Sequence, residues 1–182
     1  MSADANAAGK AEEVVIQPLN NESEARACAR LMVETEPWIT LRRDFESALG
    51  LVTDRTKEVY VARAGRELTG HVVVNMHGPF AGYIQALVVG PEWRGRGIGA
   101  RLLSFAEERI FRESPNVFLC VSGFNEQAQR FYARLGYERI GELKNYVIAG
   151  ESEFLMRKST GPKSAFPPYK PSGPAKPASS QG

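Results

Sequence analysis

The sequence is poor in cysteine. Its 182 residues include only Cys28 and Cys120, and neither has a second cysteine or a histidine nearby at the spacing of metal ligands. Neither a zinc site nor a disulfide framework is therefore supported. We expect two buried structural thiols and no bound metal.

Long apolar runs and a strong charge of one sign are also missing. No run approaches the roughly 18 apolar residues of a membrane span, and the opening stretch MSADANAAGKAEE lacks the apolar centre of a signal peptide. The net charge of +2 does not by itself indicate a nucleic-acid or membrane partner. These absences predict a soluble, cytoplasmic protein.

Both ends of the chain are short of large apolar residues. Residues 1–13 are small and polar, and residues 159–182 hold six of the eleven prolines and three lysines without an acidic residue. Such composition cannot bury enough apolar surface to offset the entropy of ordering. The sequence therefore predicts disordered segments at 1–13 and 159–182 around a single domain at 14–158.

The central region changes its apolar period several times, which predicts an α/β (α+β) fold. A mixed sheet of about seven strands with helices on both faces follows from the predicted elements. In chain order they are the strand VVIQPL, a helix after Asn20 or Asn21, the helix TLRRDFESALGLV, the strands KEVYVARA, ELTGHVVVNMH and AGYIQALVV, a helix from about Gly99, the strand NVFLCVS, the helix NEQAQRFYARLGY, and the strands ERIGELKNYVI and SEFLMRK.

The stretch PEWRGRGIGARLL places three glycines at the start of a predicted helix. Helix N-termini bind phosphate through unpaired N–H groups, and glycine lets the backbone approach the oxygens closely. A Walker loop needs Lys followed by Ser or Thr after its last glycine, whereas Ala100 and Arg101 stand here. The dinucleotide fingerprint needs GxGxxG, whereas these glycines form GxGxG. Neither familiar phosphate loop fits.

The stretch does match the R-G-x-G-x-G signature, and NEQAQRFYARLGY is similar to an N-x-x-A-x-x-F-Y-x-x-x-G block further along. On these two motifs the chain resembles the GNAT superfamily of acetyl-coenzyme-A-dependent N-acetyltransferases, in particular its ribosomal-protein N-terminal acetyltransferase branch. The resemblance covers about 14–158. It implies the GNAT fold, whose central sheet is mixed but mostly antiparallel.

The resemblance also implies which residues hold acetyl-CoA. One strand would pair with the pantetheine arm and the glycine loop would hold the pyrophosphate. Asn125 would hydrogen-bond the cofactor arm, and Tyr132 would lie near its sulfur. The implied contacts are Leu87, Val88 and Val89 for pantetheine and Arg94, Gly95, Arg96, Gly97, Ile98, Gly99 and Ala100 for pyrophosphate.

Amine acetylation needs a neutral amine, a stabilised oxyanion and a protonated leaving thiolate. We assign the oxyanion to backbone N–H groups around Val88 or Val89, and protonation of the thiolate to Tyr132 as general acid. Gln85 could position a water but cannot titrate. A water chain to solvent is the favoured base at this stage, the other candidates being His71, His77, Glu151 and Glu153.

The acceptor is predicted to be a primary amine, either a peptide N-terminus or a small molecule. Trp38, Tyr83 and Tyr146 would line its groove, with Glu34 and Glu36 able to attract a cation. The predicted activity is acetyl transfer from acetyl-CoA by direct attack in a ternary complex. Alternatives are a non-catalytic acyl-CoA sensor and a nucleic-acid binder that uses RGRG, the latter disfavoured because no recognition helix accompanies it. A homodimer stays open.

Overall fold

The computed structural model describes residues 13–166. It has the predicted order of elements, namely β1 (Val14–Pro18), α1 (Glu22–Val33), α2 (Phe45–Thr53), β2 (Lys57–Ala64), β3 (Glu67–Asn75), β4 (Tyr83–Val89), α3 (Ile98–Ile110), β5 (Asn116–Ser122), α4 (Glu126–Arg134), β6 (Glu138–Lys144) and β7 (Ser152–Ser159). Short 3-10 turns occupy Pro91–Trp93 and Lys163–Ala165.

Two element boundaries differ from the prediction by four residues or more. Helix α2 begins at Phe45 rather than near Thr40, because the Asp44 carboxylate accepts a hydrogen bond from the Ser47 amide at 2.8 Å and caps the helix there. Strand β6 ends at Lys144, because Asn145 adopts a positive φ of 54° and turns the chain. Both stops are made by short polar side chains, which favour caps and turns.

The seven strands form one sheet in the order β1-β2-β3-β4-β5-β7-β6. Every neighbouring pair is antiparallel except β4 and β5, which run parallel. The predicted mixed, mostly antiparallel sheet of about seven strands is confirmed. The single parallel pair lies in the middle of the sheet.

Helices cover both faces of this sheet, as predicted. Helix α3 buries Leu102, Leu103 and Ile110 against one face, in a core that also includes Tyr132 of α4. Helices α1 and α2 form a second core on the opposite face, with fully buried Cys28 and Met32. Since burying a large aliphatic side chain contributes about 1.5–3 kcal/mol, each face is stabilised independently by its own helices.

The C-terminal boundary of the domain lies slightly beyond the predicted one. Strand β7 runs to Ser159, and the Thr160 amide then donates to the Pro115 carbonyl at 2.9 Å. The domain therefore extends slightly past residue 158. The rest of the segments predicted to be disordered, residues 1–12 and 167–182, lies outside the described residues. Within 13–166, no helix combines the length and apolar character that crossing a bilayer requires.

Candidate active site

Strand β4 contains a β-bulge at Gln85. Val73 of β3 is opposite Ala86 and Val74 is opposite Ile84, so Gln85 is the extra residue. A bulge reverses the alternation of side chains along its strand. Ile84 accordingly packs into the core beneath α3, whereas Ala86 packs into the core beneath α1 and α2.

The parallel pairing of β4 and β5 stops immediately before this bulge. Tyr83 pairs with Phe118 and Ile84 with Leu119, and no further pair follows. Beyond Ile84 the strands diverge and leave a cleft of about 1220 Å³. The cleft is lined by β4, β5, the starts of α3 and α4, and the loops that connect α1 to α2 and β6 to β7.

The β4 backbone presents free hydrogen-bonding groups to this cleft. The Gly90 amide donates to the Thr69 carbonyl of the β3 side at 2.9 Å. Because N–H groups alternate between the two edges of a strand, the amide of Val88 also points to β3. The amides of Leu87 and Val89 point to the opposite edge, toward β5. Of the two predicted oxyanion donors, the geometry therefore favours Val89 over Val88.

Helix α3 begins at the mouth of the cleft without a side-chain cap. Gly95 and Gly97 have φ angles of 74° and 79°, and Gly97 is the N-cap. The other three α-helices within residues 13–166 are capped by Asn21, Asp44 and Asn125. The Arg101 amide is the first to bond inside α3, to the Gly97 carbonyl at 3.0 Å. The N–H groups of Ile98, Gly99 and Ala100 are therefore open to an anion.

The two arginines of the glycine loop have different positions. Arg94 lines the cleft, and its guanidinium donates to the carbonyls of Val89 and Glu36, both at 3.4 Å. Arg96 instead lies over the ring of Trp93, with its guanidinium carbon 4.8 Å from the ring centroid. Arg96 is not part of the cleft lining. The contact of Arg96 with the pyrophosphate stays a prediction, and in this structure the Arg96 side chain stacks on Trp93 outside the cleft lining.

Asn125 lines the cleft and also caps a helix. Its carboxamide oxygen accepts a hydrogen bond from the Ala128 amide at 3.1 Å, which fixes the start of α4. The side-chain NH₂ donates to no residue within 13–166 and is therefore available to donate to a ligand. The sequence motif predicted the position but not this division between capping and binding.

Tyr132 reaches the cleft from α4 on the side of the α3 core. The residue is buried, and its ring packs edge-on against those of Phe131 and Tyr137 at 5.2 and 5.7 Å. Burial raises the pKa of its hydroxyl above the ordinary value. The phenol is therefore protonated at neutral pH, as a proton donor must be.

The opposite wall of the cleft is formed by the predicted acceptor residues. Trp38 is half-buried against the α1–α2 core with Arg43 over its ring, whereas Tyr146 is 64% exposed. Tyr83 also lies in this cleft, and burial raises the pKa of its hydroxyl. All three residues line the cleft, as does the exposed Gln85. Glu36 also lines it.

The structure separates the candidate bases clearly. His71 is fully buried beneath α1 and α2, outside the cleft, and burial lowers its pKa to about 3. Glu151 is exposed and does not line the cleft, whereas His77 lies at its rim. Glu153 is only 6% exposed yet lines the cleft, and burial raises its pKa.

Ser122 is a site residue that sequence reasoning missed. Its hydroxyl donates to the Glu153 carboxylate at 2.6 Å, because Ser122 of β5 is directly opposite Glu153 of β7. Cys120 was also not predicted as a site residue. It was expected to be a buried structural thiol, whereas it is half-buried and lines the cleft. Both positions depend on the β5–β7 pairing, which connects segments about thirty residues apart and leaves no local sequence signal.

Comparison with known proteins agrees with this geometry. The model of the acetyltransferase (GNAT) family matches residues 22–137, which is more than half of the chain. The N-alpha-acetyltransferase RimI of Mycobacterium tuberculosis is 31% identical over 159 residues, covering 82% of this chain and 95% of that protein. An aminoglycoside 6'-N-acetyltransferase, solved as a complex with coenzyme A, shares the fold with a TM-score of 0.66 and 19% identity, covering 81% of this chain and 98% of that one.

A further relative is considerably longer than the region that it shares. An uncharacterized protein of Mycobacterium leprae, ML0378, is 33% identical over 155 residues, which is 81% of this chain. The match spans only 41% of the length of that relative. The shared region thus corresponds to one part of that longer protein.

Proposed function

The chain belongs to the acetyltransferase (GNAT) family, and from this premise we propose that it moves the acetyl group of acetyl-CoA to a primary amine, either a peptide N-terminus or a small-molecule amine. The amine attacks directly while both substrates are bound. The observation that carries this proposal is the cleft between β4 and β5, which has an unpaired strand edge on one side and the uncapped N-terminus of α3 at its mouth.

The residues around the cleft fit the two chemical parts of coenzyme A. The edge of β4 offers the backbone of Leu87 and Val89 to the amides of a pantetheine arm, which would bind as an added strand does. The free amides of Ile98, Gly99 and Ala100 and the guanidinium of Arg94 suit a pyrophosphate, because helix N-termini and arginines both favour anions. The Asn125 NH₂ would donate to the arm.

The chemistry is assigned to groups on both walls. The Val89 amide points to the cleft and would stabilise the oxyanion of the tetrahedral intermediate. The Tyr132 hydroxyl would protonate the leaving thiolate, since burial keeps it protonated at neutral pH. Gln85, in the bulge and exposed to the cleft, would hold a water near the amine.

The acceptor is assigned to the wall opposite Tyr132. Trp38, Tyr83 and Tyr146 would contact the group that carries the amine. The relative RimI is an N-alpha-acetyltransferase, and the coenzyme A complex is that of an aminoglycoside acetyltransferase, so both kinds of amine are proposed acceptors.

The domain bounds, cellular location and partners of the protein are proposed as well. The proposed catalytic domain runs from Val14 to the end of β7 at Ser159, and the cytoplasm is the proposed location. Acetyl-CoA and the amine are the proposed partners, without nucleic acid or membrane. A homodimer is compatible with this proposal, and light scattering of the purified protein decides between one and two copies.

The test follows free thiol released from acetyl-CoA by the purified protein, with pooled N-terminal peptides and pooled small-molecule amines assayed separately. Release that depends on one pool supports the transferase and begins to identify its acceptor. Acetyl-CoA binding measured by calorimetry runs in parallel. Tight binding without release from any pool would contradict the transferase and favour the acyl-CoA sensor. A nucleic-acid affinity that falls steeply with salt would instead revive the third alternative.

A further inference from the structure

The acceptor wall of the cleft contains one carboxylate that no role described so far uses. Glu153 of β7 and Ser122 of β5 are directly opposite each other, so their side chains share a sheet face with Cys120 and Leu155. The other face of these strands carries Leu119, Val121 and Met156, which belong to the α3 core. Glu153 therefore faces away from Tyr132 and toward the acceptor.

The carboxylate is held in place by a single hydrogen bond. The Ser122 hydroxyl donates to Oε1 of Glu153 at 2.6 Å, and Oε2 accepts no hydrogen bond from residues 13–166. Glu153 takes part in none of the ion pairs formed among these residues. One oxygen thus fixes the side chain, and the other is left to accept a proton from a ligand.

Two neighbouring groups of the cleft, the Tyr83 hydroxyl and the Cys120 thiol, are poor candidates for the base. Burial raises the pKa of both the Tyr83 hydroxyl and the Cys120 thiol, so neither is ionised. Burial also raises the pKa of Glu153, which brings a carboxylate closer to the working pH of a base. The other titratable or charged residues of the lining are Glu36, Arg43, His77, Arg94, Tyr132, Arg134 and Tyr146.

We propose that Glu153 is the general base that deprotonates the acceptor amine, with Ser122 as its positioning residue. This inference rests on the proposed function. It replaces the solvent water chain, favoured from the sequence, with a dedicated side chain.

Two protons leave the acceptor nitrogen during the acetyl transfer. The acceptor ammonium loses one proton to Oε2 of Glu153, and the nitrogen lone pair attacks the thioester carbonyl carbon to form the C–N bond. The C–S bond then breaks, and its electron pair stays on sulfur. The thiolate gains a proton from Tyr132, the nitrogen passes its second proton to the Tyr132 phenolate, and Glu153 gives the first proton to solvent. One proton is released to solvent in each turnover.

The test compares Glu153→Gln with wild type in the thiol-release assay across pH 6 to 10, with the best acceptor of the pooled screen. General-base catalysis contributes typically about 10²–10⁴-fold. We therefore expect a loss of about 100-fold or more in kcat/KM at pH 7. The deficit should shrink as the pH rises above the pKa of the amine, because solvent then supplies the neutral amine. A merely structural role would produce a deficit independent of pH.

Two further variants complete the design. Glu151→Gln removes an exposed carboxylate from the same hairpin, outside the cleft, and should leave kcat/KM within two-fold of wild type. Ser122→Ala removes the hydrogen bond that favours the ionised carboxylate. It should shift the acidic limb of the pH profile upward while retaining activity at high pH. If circular dichroism shows that Glu153→Gln does not fold, the pH shift expected for Ser122→Ala is by itself a sufficient test of the proposal.

The results distinguish failure of Glu153 as the general base from failure of the proposed acetyltransferase activity. If Glu153→Gln keeps wild-type kcat/KM and the same acidic limb, or if Ser122→Ala leaves the limb in place, Glu153 is not the base even though the enzyme is an acetyltransferase. If wild type itself binds acetyl-CoA but releases no thiol with any amine, the proposed function fails first.

Discussion

Gly97 has a positive φ of 79° and begins α3 at the mouth of the cleft. An added Cβ would meet no atom within 4 Å, so the cost of a side chain there is conformational rather than steric. A left-handed backbone costs an L-residue roughly 1–2 kcal/mol. Replacing this glycine would therefore shift the loop and the amides that follow it.

We expect Gly97→Val to weaken acetyl-CoA binding by at least about ten-fold in calorimetry. The loop amides would no longer point at the pyrophosphate, and the valine side chain would block its path to them. Gly150→Val is the matched control. Gly150 has a φ of 87° and equally open surroundings but lies in the β6–β7 hairpin, outside the cleft lining. Equal acetyl-CoA affinity in both variants would rule out the loop as the phosphate site.

Tyr132 and Tyr137 form a second matched pair. Both are buried, and their rings contact each other edge-on at 5.7 Å, but only Tyr132 lines the cleft. We expect Tyr132→Phe to lower kcat by about 100-fold, the lower range for a general acid, with acetyl-CoA affinity within two-fold of wild type. Tyr137→Phe should leave kcat unchanged. A Tyr132→Phe enzyme with wild-type kcat would remove this residue from the mechanism.

At the scale of elements, strand β3 carries a histidine in an apolar position. His71 is fully buried between Val61 and Val88 of the neighbouring strands, and neither ring nitrogen has a hydrogen-bond partner within residues 13–166. Burial lowers its pKa from 6.5 to about 3. The unfolded chain therefore binds a proton between these two pH values that the folded chain does not.

This difference predicts a pH-dependent stability. The contribution of His71 is fully present above pH 6.5 and is lost as the pH falls toward 3, by up to about 1.4 kcal/mol per pH unit in the free energy of unfolding. Urea unfolding of wild type and His71→Phe at pH 7, 6, 5 and 4 measures it, and the variant should show the shallower dependence. The exposed His77→Gln serves as control. Parallel pH curves for wild type and His71→Phe would contradict the assignment.

At the scale of the whole molecule, the sheet is weakest at its middle. The β4–β5 pairing comprises two residue pairs, whereas β3–β4 comprises six. A pantetheine arm bound along β4 would lie in this gap and add contacts that the free protein lacks. The ligand would thus stabilise the fold at the point where its two halves meet.

We expect acetyl-CoA to raise Tm in differential scanning fluorimetry. At 100 times Kd the added stability is about 2.7 kcal/mol, which corresponds to roughly 5–10 °C for a domain of this size. Adenosine, which lacks both the pyrophosphate and the pantetheine arm, should produce little change, and Gly97→Val should reduce the shift. An unchanged Tm at saturating acetyl-CoA would be inconsistent with a ligand that binds the folded cleft.

The sequence by itself determined the order of elements, the layers and the glycine loop, because these depend on local signals such as apolar period, caps and glycine spacing. The same local signals predicted Asn125 and Tyr132 as cofactor contacts, and the structure places both in the cleft lining. They could not predict that the Arg96 side chain stacks on Trp93, since this contact depends on how the loop folds over that ring.

Only the tertiary structure decided how the two walls of the site are assembled. The bulge at Gln85, the divergence of β4 from β5 and the pairing of Ser122 with Glu153 all depend on strand register. Register is set by contacts between segments far apart in the chain, where a shift of one residue moves every side chain to the other face. For that reason, the sequence could place Glu153 only among several candidate bases, whereas the fold brings it, unlike Glu151, into the acceptor side of the cleft next to Ser122.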